Sequence, residues 1–259
     1  MKLPIYQIDA FAAECFKGNP AAVCPLEKWL SDDVMLAIAA ENNLSETAFF
    51  VTTNNGFHIR WFTPTTEVNL CGHATLAAAY VIFNELNYDN ETISFDSRSG
   101  ILNIRKNESL LTMDFPVQVP VVCDTPKELE LAFGIKPVAC LKSDDYLLVV
   151  ENESEVINAK PDLSLLSKVD LRGVIITSRS RDYDFISRFF APKYGIDEDP
   201  VTGSAHTELV PYWAKRLNKN KLNARQASAR GGEIFCELVH DRVNLAGYAT
   251  KYLQGEIII

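Results

Sequence analysis

Two short segments, each with a glycine just ahead of an apolar run, hold most of the residues able to do chemistry. Val68-Asn69-Leu70-Cys71-Gly72-His73 and Asp199-Pro200-Val201-Thr202-Gly203-Ser204 both read as loops leading into helices. A helix N-terminus presents N–H groups with no intrahelical partner and about half a positive charge. A carboxylate or phosphate binds in such a place. His73 adds a group that donates a hydrogen bond or carries a proton near neutral pH. Glu46, in Asn42-Asn43-Leu44-Ser45-Glu46-Thr47-Ala48-Phe49-Phe50, is a carboxylate leading straight into an apolar strand. Burial there raises a carboxyl pKa toward the range of a general acid/base.

Taken singly, each of these residues has a plainer role. Gly72 and Gly203 permit tight turns, and Ser204 caps a helix. Asp199, ahead of a proline, is a turn residue. His73 is a buried structural histidine and Glu46 an edge charge. The duplication of the setting favours the chemical role for the two glycines.

That duplication runs through the chain. Phe57-His58-Ile59-Arg60-Trp61-Phe62-Thr63-Pro64 matches Phe185-Ile186-Ser187-Arg188-Phe189-Phe190-Ala191-Pro192 at an offset of 128, with identity at the two Phe, the Arg and the Pro. Cys71-Gly72-His73-Ala74 matches Thr202-Gly203-Ser204-Ala205 at 131, and Ser97-Arg98-Ser99-Gly100 matches Ala229-Arg230-Gly231-Gly232 at 132. Three matches in one order imply two similar halves. We divide them as an N-terminal lobe, 1–117, and a C-terminal lobe, 118–259, whose last strand is free to cross back to the first.

Each half reads as strands around one helix. The strands fall at Ile5 to Phe11, Thr47 to Thr52, Phe57 to Thr63, Ile101 to Arg105 and Leu110 to Phe115, and then at Tyr146 to Val150, Val174 to Ser178, Phe185 to Phe190, Ile234 to Val239 and Arg242 to Ala246. The segment His73 to Leu86 is apolar nearly all round, so its helix belongs inside a curled sheet. Its partner, Ser204 to Leu217, contains Pro211, which is expected to kink or shorten it. Ser31 is expected to cap a helix over Asp32 to Glu41. Thr125-Pro126-Lys127-Glu128 reads as a capping box, with a stop at Gly134.

Composition bounds the function class. The chain has 259 residues, 47% hydrophobic and 23% charged, with a net charge of −9. That is ordinary globular usage. An acidic balance argues against nucleic acid and against an anionic membrane surface. No apolar run approaches the ~20 residues of a membrane span, and Met1-Lys2-Leu3-Pro4 lacks the apolar centre of a signal peptide, so a cytoplasmic location is expected. The six cysteines are scattered without a Cys-x-x-Cys pair, which argues against a disulfide framework and makes small buried thiols the expectation. His58 and His240 read as strand residues. No cluster shows metal-ligand spacing and no nucleotide-binding loop occurs, so neither metal nor cofactor is expected.

Leu44-Ser45-Glu46-Thr47-Ala48-Phe49, Cys71-Gly72-His73-Ala74-Thr75 and Glu198-Asp199-Pro200-Val201-Thr202-Gly203-Ser204-Ala205 together resemble the PhzF-like family of phenazine-biosynthesis isomerases and their relatives. Tyr6-Gln7-Ile8-Asp9-Ala10-Phe11 with Gly18-Asn19-Pro20 resembles the start of that family. The resemblance covers essentially the whole chain. It implies an α+β fold of the diaminopimelate-epimerase type: two pseudo-symmetric lobes, each a mixed sheet wrapped around a central helix, with the site in the cleft between them. It implies Glu46 as the proton-transferring acid/base, with His73, Asp199 and Ser204 as its catalytic companions. Gly72, Gly203, Ser45, Cys71 and Thr202 then belong to substrate binding, the substrate being a small cyclic or amino carboxylic acid. A cofactor-free proton shift and a homodimer complete what the resemblance implies.

Two other readings compete. An epimerase with two thiol bases needs a cysteine in each half, and the mate of Cys71 is Thr202. A carboxylate-binding or interaction protein that kept the fold and lost turnover is the second.

Overall fold

The computed structural model describes all residues, Met1–Ile259. Their contacts divide the chain into two compact units: Met1–Asp114 with Ala246–Ile259, and Phe115–Leu245. No helix is long and apolar enough to cross a membrane.

The first unit opens with β1 (Lys2–Ala10) antiparallel to β2 (Asn19–Leu26). Helix α1 (Asp32–Asn42) then crosses over to β3 (Thr47–Thr53), which runs parallel to β2. β4 (Gly56–Phe62) returns antiparallel to β3, and the two-residue β5 (Glu67–Val68) lies on the end of β4. Helix α2 (Gly72–Asn84) leads to β6 (Thr92–Asp96), parallel to β4. β7 (Leu102–Asn107) and β8 (Leu110–Pro116) close the series as antiparallel neighbours. Ten residues of α2, from His73 to Phe83, are buried, and the helix packs on β1, β2 and β3. Ala74, Ala77, Ala78 and Ala79 keep it thin enough for strands to close around it. A helix with this sequence has no face to give to water.

The second unit repeats the plan. Its elements are β9 (Val121–Val122), α3 (Lys127–Phe133), β10 (Ala139–Lys142), β11 (Tyr146–Val149), α4 (Glu153–Ile157), α5 (Leu163–Leu166), β12 (Val174–Arg179), β13 (Phe185–Ala191), β14 (Ile196–Asp199), α6 (Gly203–Leu217), β15 (Lys221–Gln226), β16 (Gly232–Val239) and β17 (Arg242–Gly247). β10–β11 is antiparallel, β11–β12 parallel, β12–β13 and β13–β14 antiparallel, β13–β15 parallel and β15–β16 antiparallel. The first unit has the same order of senses from β1 to β7. The register fixes residue equivalence as well. Thr47 lies opposite Phe62 and Val174 opposite Phe190, and Phe62 and Phe190 are matched residues of the sequence repeat. Thr47 therefore corresponds to Val174, and Glu46 to Gly173.

Strand β18 (Ala249–Ile258) returns to the first unit, running antiparallel along all of β1 from Ala10↔Ala249 to Lys2↔Ile258. The compact second unit is thus Phe115–Leu245, and Ala246–Ile259 groups with the first.

Three local expectations change. Helix α6 is neither broken nor shortened at Pro211 and runs unbroken to Leu217. Proline removes the N–H that would bond the carbonyl four residues back. That carbonyl, on Thr207, instead accepts the backbone N–H of Gln118 at 3.1 Å. Ser31 occupies the N-cap of α1 without a side-chain cap bond. Thr125 is not the cap of α3, because Pro126 takes that position, without a side-chain cap bond. Gly134 does end α3, with φ 63°.

Candidate active site

In the first unit, parallel pairing of β2 with β3 brings the start of both strands together, since Ala22 N–H bonds the Glu46 carbonyl at 3.3 Å. Asn19 begins β2, Glu46 directly precedes β3, and the first turn of α2 reaches the same place. His73 Nε2 lies 3.3 Å from Glu46 Oε2. Asn19 Nδ2 lies 3.2 Å from His73 Nδ1 and Cys71 Sγ 3.5 Å from it. Cys71 is the N-cap residue of α2, held by the Thr75 hydroxyl, which donates to its carbonyl at 2.6 Å. Asn42 and Thr47, linked at 3.1 Å, brace the segment that carries Ser45 and Glu46.

Burial decides the state of His73. Only 5% of the residue is exposed, and burial pushes its pKa down from 6.5 to about 3. The ring is neutral at pH 7 and has one N–H. An amide N–H of Asn19 donates to Nδ1, so the proton sits on Nε2, on the side of the Glu46 carboxylate. This pair of an acceptor and a donor, one carboxylate and one neutral imidazole, suits proton transfer. Gly72 and Gly203 both lie outside the left-handed φ region. Turn geometry therefore does not demand glycine at either place, and what glycine leaves is bare backbone at a helix start.

Sequence spacing gave no sign of a metal set, yet the fold gathers ligand atoms of Glu46, Cys71 and His73 within 4.8 Å of one another. The three come from two separate segments. Nδ1 of the imidazole faces Asn19 and Cys71, while Nε2 approaches Glu46 Oε2 at 3.3 Å without hydrogen-bond geometry.

The second unit builds a different polar cluster in the corresponding loop. Asp199 and Thr202 are buried, and the Thr202 hydroxyl donates to Asp199 Oδ2. Gln226, fully buried at the end of β15, clamps the loop. Its Oε1 accepts the Thr202 N–H at 2.8 Å, and its Nε2 donates to the Asp199 carbonyl at 2.7 Å and to Thr202 Oγ1 at 3.1 Å. Thr202, not Ser204, is the N-cap residue, and Ser204 stands one residue inside the first turn of α6. Neither α2 nor α6 has an acidic residue within its own first turn; the carboxylates near their positive ends come from Glu46 and Asp199, outside the helices.

The repeated Phe-x-x-Arg-x-Phe pattern explains how both loops are held. Arg60 forms a two-bond fork to Glu67, 2.7 and 2.7 Å, and Arg188 does the same to Glu198, 2.7 and 2.9 Å. Each guanidinium also covers the following Phe, at 5.1 Å for Phe62 and 5.0 Å for Phe190. Bidentate pairs of this kind fix direction as well as distance. The clamped Glu is five residues before the glycine that starts each helix.

Sequence reasoning missed Asn19, Gln226 and His206 as parts of these clusters. His206, one turn after Thr202, is fully buried, with Nδ1 2.8 Å from the Thr202 carbonyl. Burial lowers its pKa to about 4, against the opposing effect of that carbonyl. The i, i+4 spacing of Thr202 and His206 was the available signal. His58 does lie in a strand, packed edge-on against Trp29, whereas His240 sits in the turn after β16 with φ 55°.

The duplicated mixed sheets with a buried helix define an α+β architecture shared with epimerases. A hydroxyproline epimerase of Agrobacterium vitis superposes with a TM-score of 0.65 at 8% identity, covering 99% of this chain and 92% of that one, which speaks to fold alone. Residues 8–255 match the family model described as phenazine biosynthesis-like protein, and the chain belongs to this PhzC-PhzF family. An uncharacterized isomerase of Pseudomonas aeruginosa is 51% identical over 258 residues, covering 99% of both chains. The crystal structure of a phenazine biosynthesis PhzF-family protein from Enterococcus faecalis is 48% identical, with a TM-score of 0.98 and full coverage of both chains.

Proposed function

We propose that this protein is a cofactor-independent isomerase that moves a proton on a small cyclic or amino carboxylic acid, with Glu46 as the general acid/base. The observation that carries the reading is the Glu46 carboxylate beside a buried, neutral His73 whose ring is oriented by Asn19. Glu46 takes a proton from a substrate carbon and returns it at another. The Nε2–H of His73 steadies the carboxylate as its charge changes. The N–H groups at the start of α2, around Gly72, hold the substrate carboxylate. Ser45 and Cys71 line that place; within the second unit the reading assigns the corresponding role to Thr202, Asp199 and Ser204 with the N–H groups around Gly203. The reading places the chain in the cytoplasm as a homodimer, which light scattering tests.

A single base fits better than two. Thr202 stands where a second thiol would be, and Gly173 stands where a second carboxylate would be. A Cβ at Gly173 would lie 2.6 Å from Phe189 Cζ and 2.9 Å from the Phe190 carbonyl oxygen. Racemisation, which takes a proton from one face and delivers one to the other, has no partner base in either repeat position.

The test is hydrogen exchange. Wild-type protein incubated in deuterated water with anthranilate-like and cyclic amino acids should place deuterium in the substrate or product carbon. Glu46→Gln should stop incorporation and retain carboxylate binding, read as a thermal shift. Incorporation by Glu46→Gln at the wild-type rate would overturn the assignment. Binding without exchange by the wild type would favour a carboxylate-binding protein instead.

A further inference from the structure

We infer that Cys123 and Cys140 form an oxidative modification site, a reduced dithiol that hydrogen peroxide converts to an intrachain disulfide. The two belong to the second unit and to neither polar cluster described above, so the inference is independent of the isomerase reading.

The register puts them face to face. Val121 pairs with Lys142 and Val122 with Leu141 across β9 and β10. The next step along the same ladder sets Cys123 against Cys140, and the Cys123 N–H donates to the Cys140 carbonyl at 3.0 Å. Directly opposed, hydrogen-bonded residues of an antiparallel pair have Cα atoms ~5.5 Å apart. Disulfides most often span about 5.5–6 Å between Cα atoms. The sulfurs are already 3.6 Å apart, so rotation of the side chains alone brings them to the bond length of ~2 Å.

The two thiols differ in access. Cys123 is half-buried and Cys140 buried, within the apolar core formed by Leu129, Tyr146, Leu148 and Val150. Burial, reinforced by Cys123, holds the Cys140 thiol up at about 12. Cys123 is therefore the attacking group and Cys140 the resolving one. The Cys123 sulfur displaces one oxygen of the peroxide, giving a sulfenic acid and one water. The Cys140 sulfur then attacks that sulfenic sulfur, forming the S–S bond and releasing a second water as its own proton leaves. Each sulfur loses one electron and the two peroxide oxygens gain them. The closed loop carries all of α3 and ties its start to β10. In a reducing compartment such a bond is transient, which agrees with six cysteines that are otherwise isolated.

The experiment uses the full chain. Reduced protein is treated with hydrogen peroxide, the remaining thiols are alkylated under denaturing conditions, and the peptides are mapped without reduction. Expected is one cross-link joining the Cys123 and Cys140 peptides, with the other four of the six cysteines alkylated, and full reversal by dithiothreitol. Cys123→Ser, a small change at a half-buried position, should abolish the cross-link and leave Cys140 alkylated at the same peroxide dose. Alkylation of both cysteines at untreated levels, oxidation of Cys123 to sulfinic acid without cross-linking, or Cys140 joined to a different cysteine would each overturn the inference.

Discussion

Gly173 holds in the second unit the position that Glu46 holds in the first, one residue before the strand that pairs in parallel with its neighbour. The repeat keeps the backbone and has no carboxylate at this position. Phe189 fills the space that a side chain would need. Gly173→Ala is therefore expected to destabilise the fold by about 1–3 kcal/mol through overpacking. A urea titration with an unchanged slope would measure it, and a variant as stable as wild type would show that Phe189 can move aside.

Gln226 acts on the second cluster by position. Gln226→Leu leaves the Thr202 N–H and the Asp199 carbonyl without their buried partner, which costs about 1–3 kcal/mol per group. Stability should drop by a few kcal/mol in chemical denaturation. If the Asp199–Thr202 loop contributes to turnover, kcat should fall more than KM rises, and Gln226→Glu should recover less than half of either.

Acid should weaken the fold through two histidines. His73 and His206 are held neutral at about 3 and about 4, whereas the unfolded chain titrates them near 6.5. Between pH 6.5 and 4 the unfolded state takes up protons that the folded state refuses. Their contribution is complete above pH 6.5 and is lost as pH falls, at up to ~1.4 kcal/mol per pH unit for each ring. His206→Gln should give a shallower acid limb than wild type in urea midpoints measured from pH 7 to 4.5. Parallel limbs would count against a buried neutral ring.

Glu208 has the opposite sign. It is fully buried on α6, accepts the Asp145 N–H at 3.2 Å, and lies near the Asp145 and Arg172 pair. Burial, with the Asp145 charge behind it, raises its pKa from 4.5 to about 8. The folded state keeps a proton that the unfolded chain releases, so stability declines as pH rises from about 4.5 to about 8. Glu208→Gln preserves the accepted hydrogen bond and removes the titration. It should match wild type near pH 4.5 and exceed it at pH 9, by thermal or urea midpoint. Equal pH profiles would mean the carboxyl ionises freely in the fold.

Much of this architecture was legible from residues alone. The repeat, the buried helix over His73 to Leu86 and ten of the strands were readable because aromatic and β-branched runs and an unbroken apolar helix announce themselves. Strand β2 was not, since Asn19-Pro20-Ala21-Ala22-Val23-Cys24-Pro25-Leu26 has low strand propensity and takes its form from neighbours on both sides. β18 was hidden for another reason: its largely exposed residues show no alternation. The pairing of Glu46 with His73 depends on strand register and helix placement, which spacing in sequence does not encode. Asn19 and Gln226 were invisible because an amide reveals its role only through what it clamps. The continuity of α6 through Pro211 rested on a donor from Gln118, far away in the chain.

The return of β18 to β1 has a consequence for how the molecule is made. During synthesis β1 emerges first and its partner last, so one edge of the first unit stays open while more than two hundred residues are added. The second unit, contiguous in sequence, has all its strands by Leu245 and can be complete on the ribosome before the first is closed. Until then β1 is an unpaired strand edge, the kind of surface that invites pairing with another chain. Order of birth and order of completion are reversed in this protein, and truncation near the C-terminus should expose the lobe that carries Glu46.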